Sequence, residues 1–122
     1  MEENFKSILE ENGADVKTTL KRFMGNENMY MKFLKRFPED PNYKNLGTSL
    51  EAGDYEEAFR CAHTLKGVSA NLGLEPVQAA VSGLVEELRS KTNAEVDVAK
   101  ANAMWQDLKK VYEQFIEIIN AC

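Results

Sequence analysis

Apolar side chains recur at spacings of three and four residues along almost the whole of this 122-residue chain. This is the period of an amphipathic α-helix, and no segment alternates with the period of two that a half-buried strand requires. The period therefore predicts an all-α fold. The C-terminal segment shows the pattern most clearly, through Leu108, Val111, Tyr112, Phe115, Ile118 and Ile119.

Residues that cap helices divide this pattern into segments. Asp15 and Asn26 each precede a short apolar segment, and Asp54 precedes the long segment that holds the only histidine. Glu57 follows Asp54 at the spacing of a capping box. We therefore expect a short helix after Asp15, a second after Asn26 and a long one after Asp54.

Prolines and turns mark the remaining helices. Pro41 directly after Asp40 is typical of a first helical turn, and another helix is expected from Pro76. The last helix is expected after the connection SKTNAEV, residues 90–96, in which Thr92 and Glu95 have capping-box spacing. Long helices with short connections pack as antiparallel neighbours. Residues 1–122 are therefore expected to form a single domain, an antiparallel four-helix bundle with one or two additional short N-terminal helices.

Charge and composition exclude several classes of function. The net charge of −5 argues against a nucleic-acid partner, because a phosphate backbone requires a basic face. No apolar run approaches the roughly 20 residues that span a bilayer, and the acidic N-terminus lacks the features of a signal peptide. Two cysteines outside any CxxC pair and one histidine argue against a zinc site. We expect a cytoplasmic monomer that binds neither membrane nor metal.

The single histidine, His63, lies on the outer face of its predicted helix. At about 100° per residue, His63 lies about 160° from Leu65, the strongest core position. The expected core stripe consists of Ala58, Ala62, Leu65, Ser69 and Leu72. The outer face that surrounds the histidine consists of Glu56, Phe59, Arg60, Lys66, Gly67 and Ala70.

A mid-helix glycine on this outer face needs an explanation, since it costs roughly 1 kcal/mol relative to alanine. Gly67 lies one turn from His63, which favours a surface left open for a large partner over close packing of a neighbouring helix. Lys66 brings a cation to the same turn, and Phe59 adds an apolar anchor. Each residue alone is more often structural or merely solvated. Their combination, H-x-x-K-G, favours a functional site.

At these residues the chain resembles the histidine-containing phosphotransfer (HPt) domains of multistep two-component relays. The resemblance rests on His63, Lys66, Gly67, Ala70 and Gly73 within AHTLKGVSANLGL, and a looser likeness covers almost the whole chain. It implies a four-helix bundle in which His63 accepts a phosphoryl group from a receiver-domain aspartate, or from a histidine kinase or hybrid kinase, and passes it on. It also implies that Lys66 supports the phosphorylated state and that Gly67 gives the receiver access.

The following helix departs from the family where a Leu-Glu pair is common, because Val85 follows Leu84 and Glu86 comes one place late. In an antiparallel hairpin, residues around 85 to 89 lie beside His63, so Val85 and Arg89 are expected to share an edge next to the site. Arg89 could equally be a solvated surface charge. The expected partner-docking residues are Phe59, Arg60, Gly67, Ala70, Val85 and Arg89.

The chain carries no phosphate-binding loop and no acidic metal cluster in its sequence. It is therefore expected to be a phosphocarrier without cofactor rather than an enzyme, with Mg²⁺ and the acceptor aspartate supplied by the receiver domain. A non-catalytic helical adaptor that binds a signalling partner through the same face is the alternative. A sensor-kinase fragment fits less well because Thr64 follows the histidine. Met1 and the closing helix favour a free-standing protein over a domain of a hybrid kinase.

Overall fold

The computed structural model describes residues 1–89 and 91–122, and the regular structure in these residues is helical. The all-α prediction is confirmed. The elements, in chain order, are α1 (Glu3–Glu11), α2 (Val16–Arg22), α3 (Glu27–Arg36), a 3-10 turn (Phe37–Glu39), α4 (Pro41–Ala52), α5 (Tyr55–Asn71), α6 (Glu75–Leu88) and α7 (Val98–Asn120).

Helices α4 to α7 form the four-helix bundle that the sequence predicts. Each helix packs against the next in the chain. Aromatic contacts join the first to the last, since Tyr43 of α4 stacks on Tyr112 of α7 with ring centroids 3.6 Å apart. Gly47 allows the same close approach, because a Cβ there would lie 2.8 Å from the Trp105 ring. None of the described helices is long and apolar enough to cross a membrane.

The predicted N-terminal caps are confirmed. The side chains of Asp15, Asn26 and Asp54 each accept a hydrogen bond from the backbone N–H three residues on, at 3.0 to 3.2 Å. Asp40 accepts the backbone N–H of Asn42 at 2.8 Å. These bonds satisfy N–H groups that the first helical turn leaves without partners, and so they fix where each helix begins.

Three short helices, α1 to α3, precede the bundle, more than the one or two that the sequence predicts. Helix α1 begins after Glu2, whose side chain makes no capping hydrogen bond. The helix is held instead by burial of Phe5 and Leu9, which are 6% and 0% exposed. Tertiary packing thus stabilises a segment that carries no local start signal.

Helix α7 begins just after the predicted connection, but Thr92 and Glu95 within that connection do not form a capping box. The backbone N–H and the hydroxyl of Thr92 both donate to the Glu95 carboxylate, at 3.1 and 2.8 Å, but they do so in a turn. A capping box requires the threonine hydroxyl to accept rather than donate. Helix α7 begins at Val98, capped by Asp97. Ser90, the first residue of the predicted connection, lies outside the described residues.

The N-terminal helices are tied to the C-terminal end of α5. The Arg22 guanidinium donates to the last two carbonyls of α5, at 2.8 and 3.2 Å. The buried Tyr30 hydroxyl donates to the Leu72 carbonyl at 2.8 Å, and the Asp15 N–H donates to the Gly73 carbonyl at 2.8 Å. Helices α2 and α3 therefore cover one end of the bundle and leave the middle of α5 open.

Candidate functional site

Helix α5 has one buried face and one exposed face, as the helical wheel predicts. The residues of the expected core stripe are 0 to 4% exposed, whereas His63 on the opposite side is exposed. The helix is uninterrupted from its Asp54 cap to Asn71, with Gly73 in the left-handed conformation (φ +71°) just beyond. His63 thus stands at the middle of a rigid helix, with its side chain toward solvent.

The His63 imidazole is exposed to solvent. It makes no hydrogen bond to any residue in the described part of the chain. Its nearest aromatic neighbour is Phe59, one turn earlier, with ring centroids 5.9 Å apart and planes tilted by 44°. An accessible ring nitrogen that holds a lone pair can act as a nucleophile.

Packing within the protein does not require a glycine at position 67. A Cβ at this position would meet no described atom within 4 Å beyond its own helical backbone and chain neighbours. Gly47 differs, because a Cβ there would collide with Trp105. The open space above Gly67 lies one turn from His63, so only a molecule that approaches from outside gains from the absent side chain.

Lys66 supplies a cation on the same turn of the helix. Its side chain is half-buried and forms no ion pair with the described residues. Its charge is therefore not neutralised by a described carboxylate, and it is available to an anion that approaches this face. Ala70, one turn further on, is small and half-buried, and it adds no bulk to this face.

Phe59 is less exposed than the sequence suggests. It is half-buried and packs against the hydrophobic core, because its position on α5 borders the contact with α6. Arg89, the residue that follows α6, places its guanidinium carbon 5.5 Å from the centre of the Phe59 ring. The same side chain pairs with Glu86 at 3.3 Å. Arg89, Phe59 and His63 thus form a continuous row across two helices, which places Arg89 beside the site.

The prediction for Val85 is wrong. Its side chain is 0% exposed, so it cannot contact a docking partner. Helix α6 packs against both α5 and α7, and this double contact buries a wide face that includes Leu84 and Val85 together. The edge beside the histidine is instead formed by Arg89 and Glu86, both of which are exposed.

Arg60 is exposed but not free. Its Nε donates to the Glu57 carboxylate at 3.0 Å, and a second guanidinium nitrogen contacts the other carboxylate oxygen. This pairing lowers the pKa of Glu57 below its usual value. The pairing with Arg60 also engages the Glu57 side chain, which in a capping box would instead accept the backbone N–H of Asp54 at the start of the helix. Lys66 is therefore the less screened of the two cations that flank His63 on α5.

The residues described hold no cluster of three or more histidine, cysteine, aspartate or glutamate side chains that could bind a metal ion. The site consists of a nucleophile, a cation and open space. Such a set is chemically able to accept a transferable group.

A sequence family model described as "Hpt domain" matches residues 29–117, well over half of the chain. The match begins within α3, includes the whole of α5 and ends within α7. No curated protein and no solved structure matches the chain.

Proposed function

The chain belongs to the Hpt domain family, and on that premise we propose that His63 is the residue that carries the phosphoryl group. Hpt domains are phosphocarrier modules of phosphorelays rather than classical enzymes. The observation that carries the proposal is the exposed, unbonded imidazole of the only histidine, beside an open glycine position.

The reaction follows from the chemistry of the two partners. A ring nitrogen of neutral His63 attacks the phosphorus of an aspartyl phosphate on a receiver domain. An N–P bond forms, the bond from phosphorus to the aspartate oxygen breaks, and the electron pair leaves with the carboxylate. The proton on the second ring nitrogen can pass to solvent because the ring is exposed. The reverse sequence delivers the group to another receiver domain.

Lys66 stabilises the phosphoryl group during transfer and after it. The phosphoryl group brings negative charge to within reach of its ammonium. Two unit charges 4 Å apart attract by about 1 kcal/mol in water and by about 4 kcal/mol at the effective dielectric of a protein surface. Exclusion of water by a docked receiver therefore strengthens this contact at the moment of transfer. Arg89 is a second cation at the edge of the same face.

The partner supplies what this chain lacks. Phosphoryl transfer depends on positioning and on stabilisation of charge, and Mg²⁺ with the receiver's acidic residues provides most of both. The active site is thus complete only in the complex. A receiver domain and a histidine or hybrid kinase are the expected partners, and the protein needs no cofactor of its own.

The test is phosphate uptake from a phosphorylated receiver domain. We expect His63→Gln to abolish uptake with no change in the helical circular dichroism spectrum. Asn102→Gln, at an exposed amide on α7, is the matched control and should transfer at the wild-type rate. The bound phosphate should be labile to acid and stable to base, as a phosphoramidate is. Uptake by His63→Gln would show that another residue accepts the phosphoryl group and would refute the proposal, whereas a protein that binds receivers without becoming phosphorylated would favour the adaptor alternative.

A further inference from the structure

Helices α2 and α3 carry a charge opposite to that of the whole chain. Residues 16–36, which we call the basic hairpin, hold one acidic side chain, Glu27, and have a net charge of +5. The chain as a whole has a net charge of −5. The basic side chains of the hairpin are Lys17, Lys21, Arg22, Lys32, Lys35 and Arg36, and all six are exposed.

Asp15, which caps α2, lies close enough to Arg22 and Lys17 for their charges to help lower its pKa, but it forms no ion pair with either side chain. Glu27 is bound elsewhere, to the Lys6 ammonium at 2.7 Å and to the N-terminal amine of Met1 at 3.0 Å. None of the six basic side chains forms an ion pair with a described residue. This concentration of unneutralised cations generates a positive potential that attracts an acidic surface.

The basic hairpin also exposes apolar surface. Met24, Met29 and Phe33 are 93%, 45% and 41% exposed, and with Val98 they are the large exposed hydrophobic side chains among the described residues. Beside them a groove of about 320 Å³ runs between α3 and the end of α5. It is lined by Phe23, Phe33, Arg36, Phe37, Asp40, Val68, Asn71 and Leu72, and the Asp40 carboxylate already accepts hydrogen bonds from the backbone N–H and the side-chain amide of Asn42. Apolar walls with a cation at the rim are typical of a site that binds an apolar side chain from an acidic segment.

The basic hairpin lies within reach of a molecule docked at His63. Val68, which lines the groove, follows His63 by five residues, which is about 7.5 Å along the helix axis and about 140° around it, so the groove opens on a flank of α5. The basic hairpin itself reaches the outer face, because Arg22 donates to the carbonyl of Ala70, about two turns from His63. A standard protein interface covers about 800 Å² per partner, and a round patch of that area has a radius of about 16 Å. A globular domain centred on His63 therefore also covers Arg22, at the edge of the basic hairpin that lies nearest the histidine.

We propose that the basic hairpin and its groove form a second docking site for the receiver domain that exchanges phosphate with His63. The occupant is an acidic surface segment of that receiver, with an apolar side chain inserted between Phe33 and Leu72. This inference rests on the proposed function. It adds that the basic hairpin and its groove, rather than the surface around the histidine, determine which receiver domain binds. The concave, aromatic shape of the groove favours a protein side chain over a flat anionic membrane.

The test compares charge reversal at two places. The probe is the receiver domain from the source organism that phosphorylates His63 fastest. Lys32→Glu with Arg36→Glu should weaken its binding about tenfold at low salt, with the difference falling to about threefold or less at 0.5 M salt. Lys109→Glu with Lys110→Glu makes the same change in net charge on α7, which is not adjacent to α5 in the bundle, and should leave the affinity within about twofold.

A second pair of variants tests the groove without changing charge. Phe33→Ala should weaken binding of the same receiver about tenfold, in the range found for anchor residues at interfaces. Val98→Ala removes exposed apolar surface at the start of α7 and should leave the affinity unchanged. Phe33 is exposed, so the variant is expected to fold, and its thermal unfolding provides the check.

Labelling by phosphoramidate separates docking from chemistry, because this small donor phosphorylates histidine without a protein partner. All four variants should be labelled at His63 at the wild-type rate. Normal transfer from the receiver with unchanged affinity in both basic-hairpin variants would overturn this inference and leave the proposed function standing. Failure of every receiver to phosphorylate His63 would overturn both. Anionic phosphatidylserine vesicles that bind the protein through the hairpin, with unchanged receiver affinity, would also overturn the inference.

Discussion

Replacement of Gly67 by alanine should stabilise the protein and slow phosphoryl transfer at the same time. The added Cβ meets open space and the helical backbone is unstrained. Alanine in a helix interior is more favourable than glycine by about 0.5 to 1 kcal/mol. Unfolding entropy of about 2.1 cal/mol/K per residue gives roughly 0.26 kcal/mol/K for this chain. The melting temperature should therefore rise by about 2 to 4 °C.

Transfer should fall as the side chain at this position grows. A displacement of about 1 Å in the reacting groups can cost roughly a hundredfold in rate. We expect Gly67→Ala to slow uptake from a phosphorylated receiver about threefold to tenfold, and Gly67→Leu by about a hundredfold or more. Leucine has nearly the helix propensity of alanine, so both variants should be about equally stable. Thermal unfolding by circular dichroism and a rapid-quench time course of transfer measure the two effects.

Gly47→Ala is the matched control for the stability measurement. The same substitution places a Cβ 2.8 Å from the Trp105 ring, so it should lower the melting temperature. Two results would refute the reasoning about Gly67. One is wild-type transfer by Gly67→Leu, since the open space would then serve no partner. The other is a lower melting temperature for Gly67→Ala, since the position would then be constrained from within.

Two further predictions concern charged side chains. Lys66→Gln should reduce the transfer rate about tenfold, or about 1.4 kcal/mol, without altering thermal unfolding, and Lys110→Gln on α7 should change neither quantity. Glu87 is 6% exposed and its carboxylate is bound by Lys91 and by Lys100, which lowers its pKa below the usual value. Its contribution to stability is therefore present at neutral pH and lost as the pH falls through that lowered pKa. In urea unfolding Glu87→Gln should be less stable than wild type at pH 7, with the difference smaller at pH 3, and a difference independent of pH would contradict this assignment.

Local signals in the sequence were sufficient for most of the fold. Capping residues act on N–H groups two or three positions away, so Asp15, Asn26, Asp40 and Asp54 mark helix starts without knowledge of tertiary structure. The helical wheel of α5 predicts the exposed face correctly for a similar reason. One wide face of this helix is buried, and His63 lies opposite the centre of that face. The exposed histidine and the open position at Gly67 are therefore predictable from spacing alone.

The remainder depends on neighbours that are distant in sequence. Val85 is buried because α6 contacts two helices, and a wheel drawn for one helix contains no information on how many partners it has. Phe59 is half-buried for the same reason. The groove between α3 and α5 is formed by residues about 35 positions apart. Its basic rim is visible in the sequence, as six cations and one acid within residues 16–36, but only the structure places that rim beside the histidine helix.

The order of packing in the bundle has a consequence for how the molecule opens. Helices α4 to α7 each contact the next in sequence, so this part has a low contact order and is expected to fold rapidly and cooperatively. The N-terminal helices instead attach through bonds that span 42 to 49 residues, from Tyr30 to Leu72 and from Arg22 to Ala70 and Asn71. In amide hydrogen exchange, α2 and α3 should therefore open at a lower free energy than α5. One wall of the groove can thus detach and rejoin while the histidine helix keeps its place.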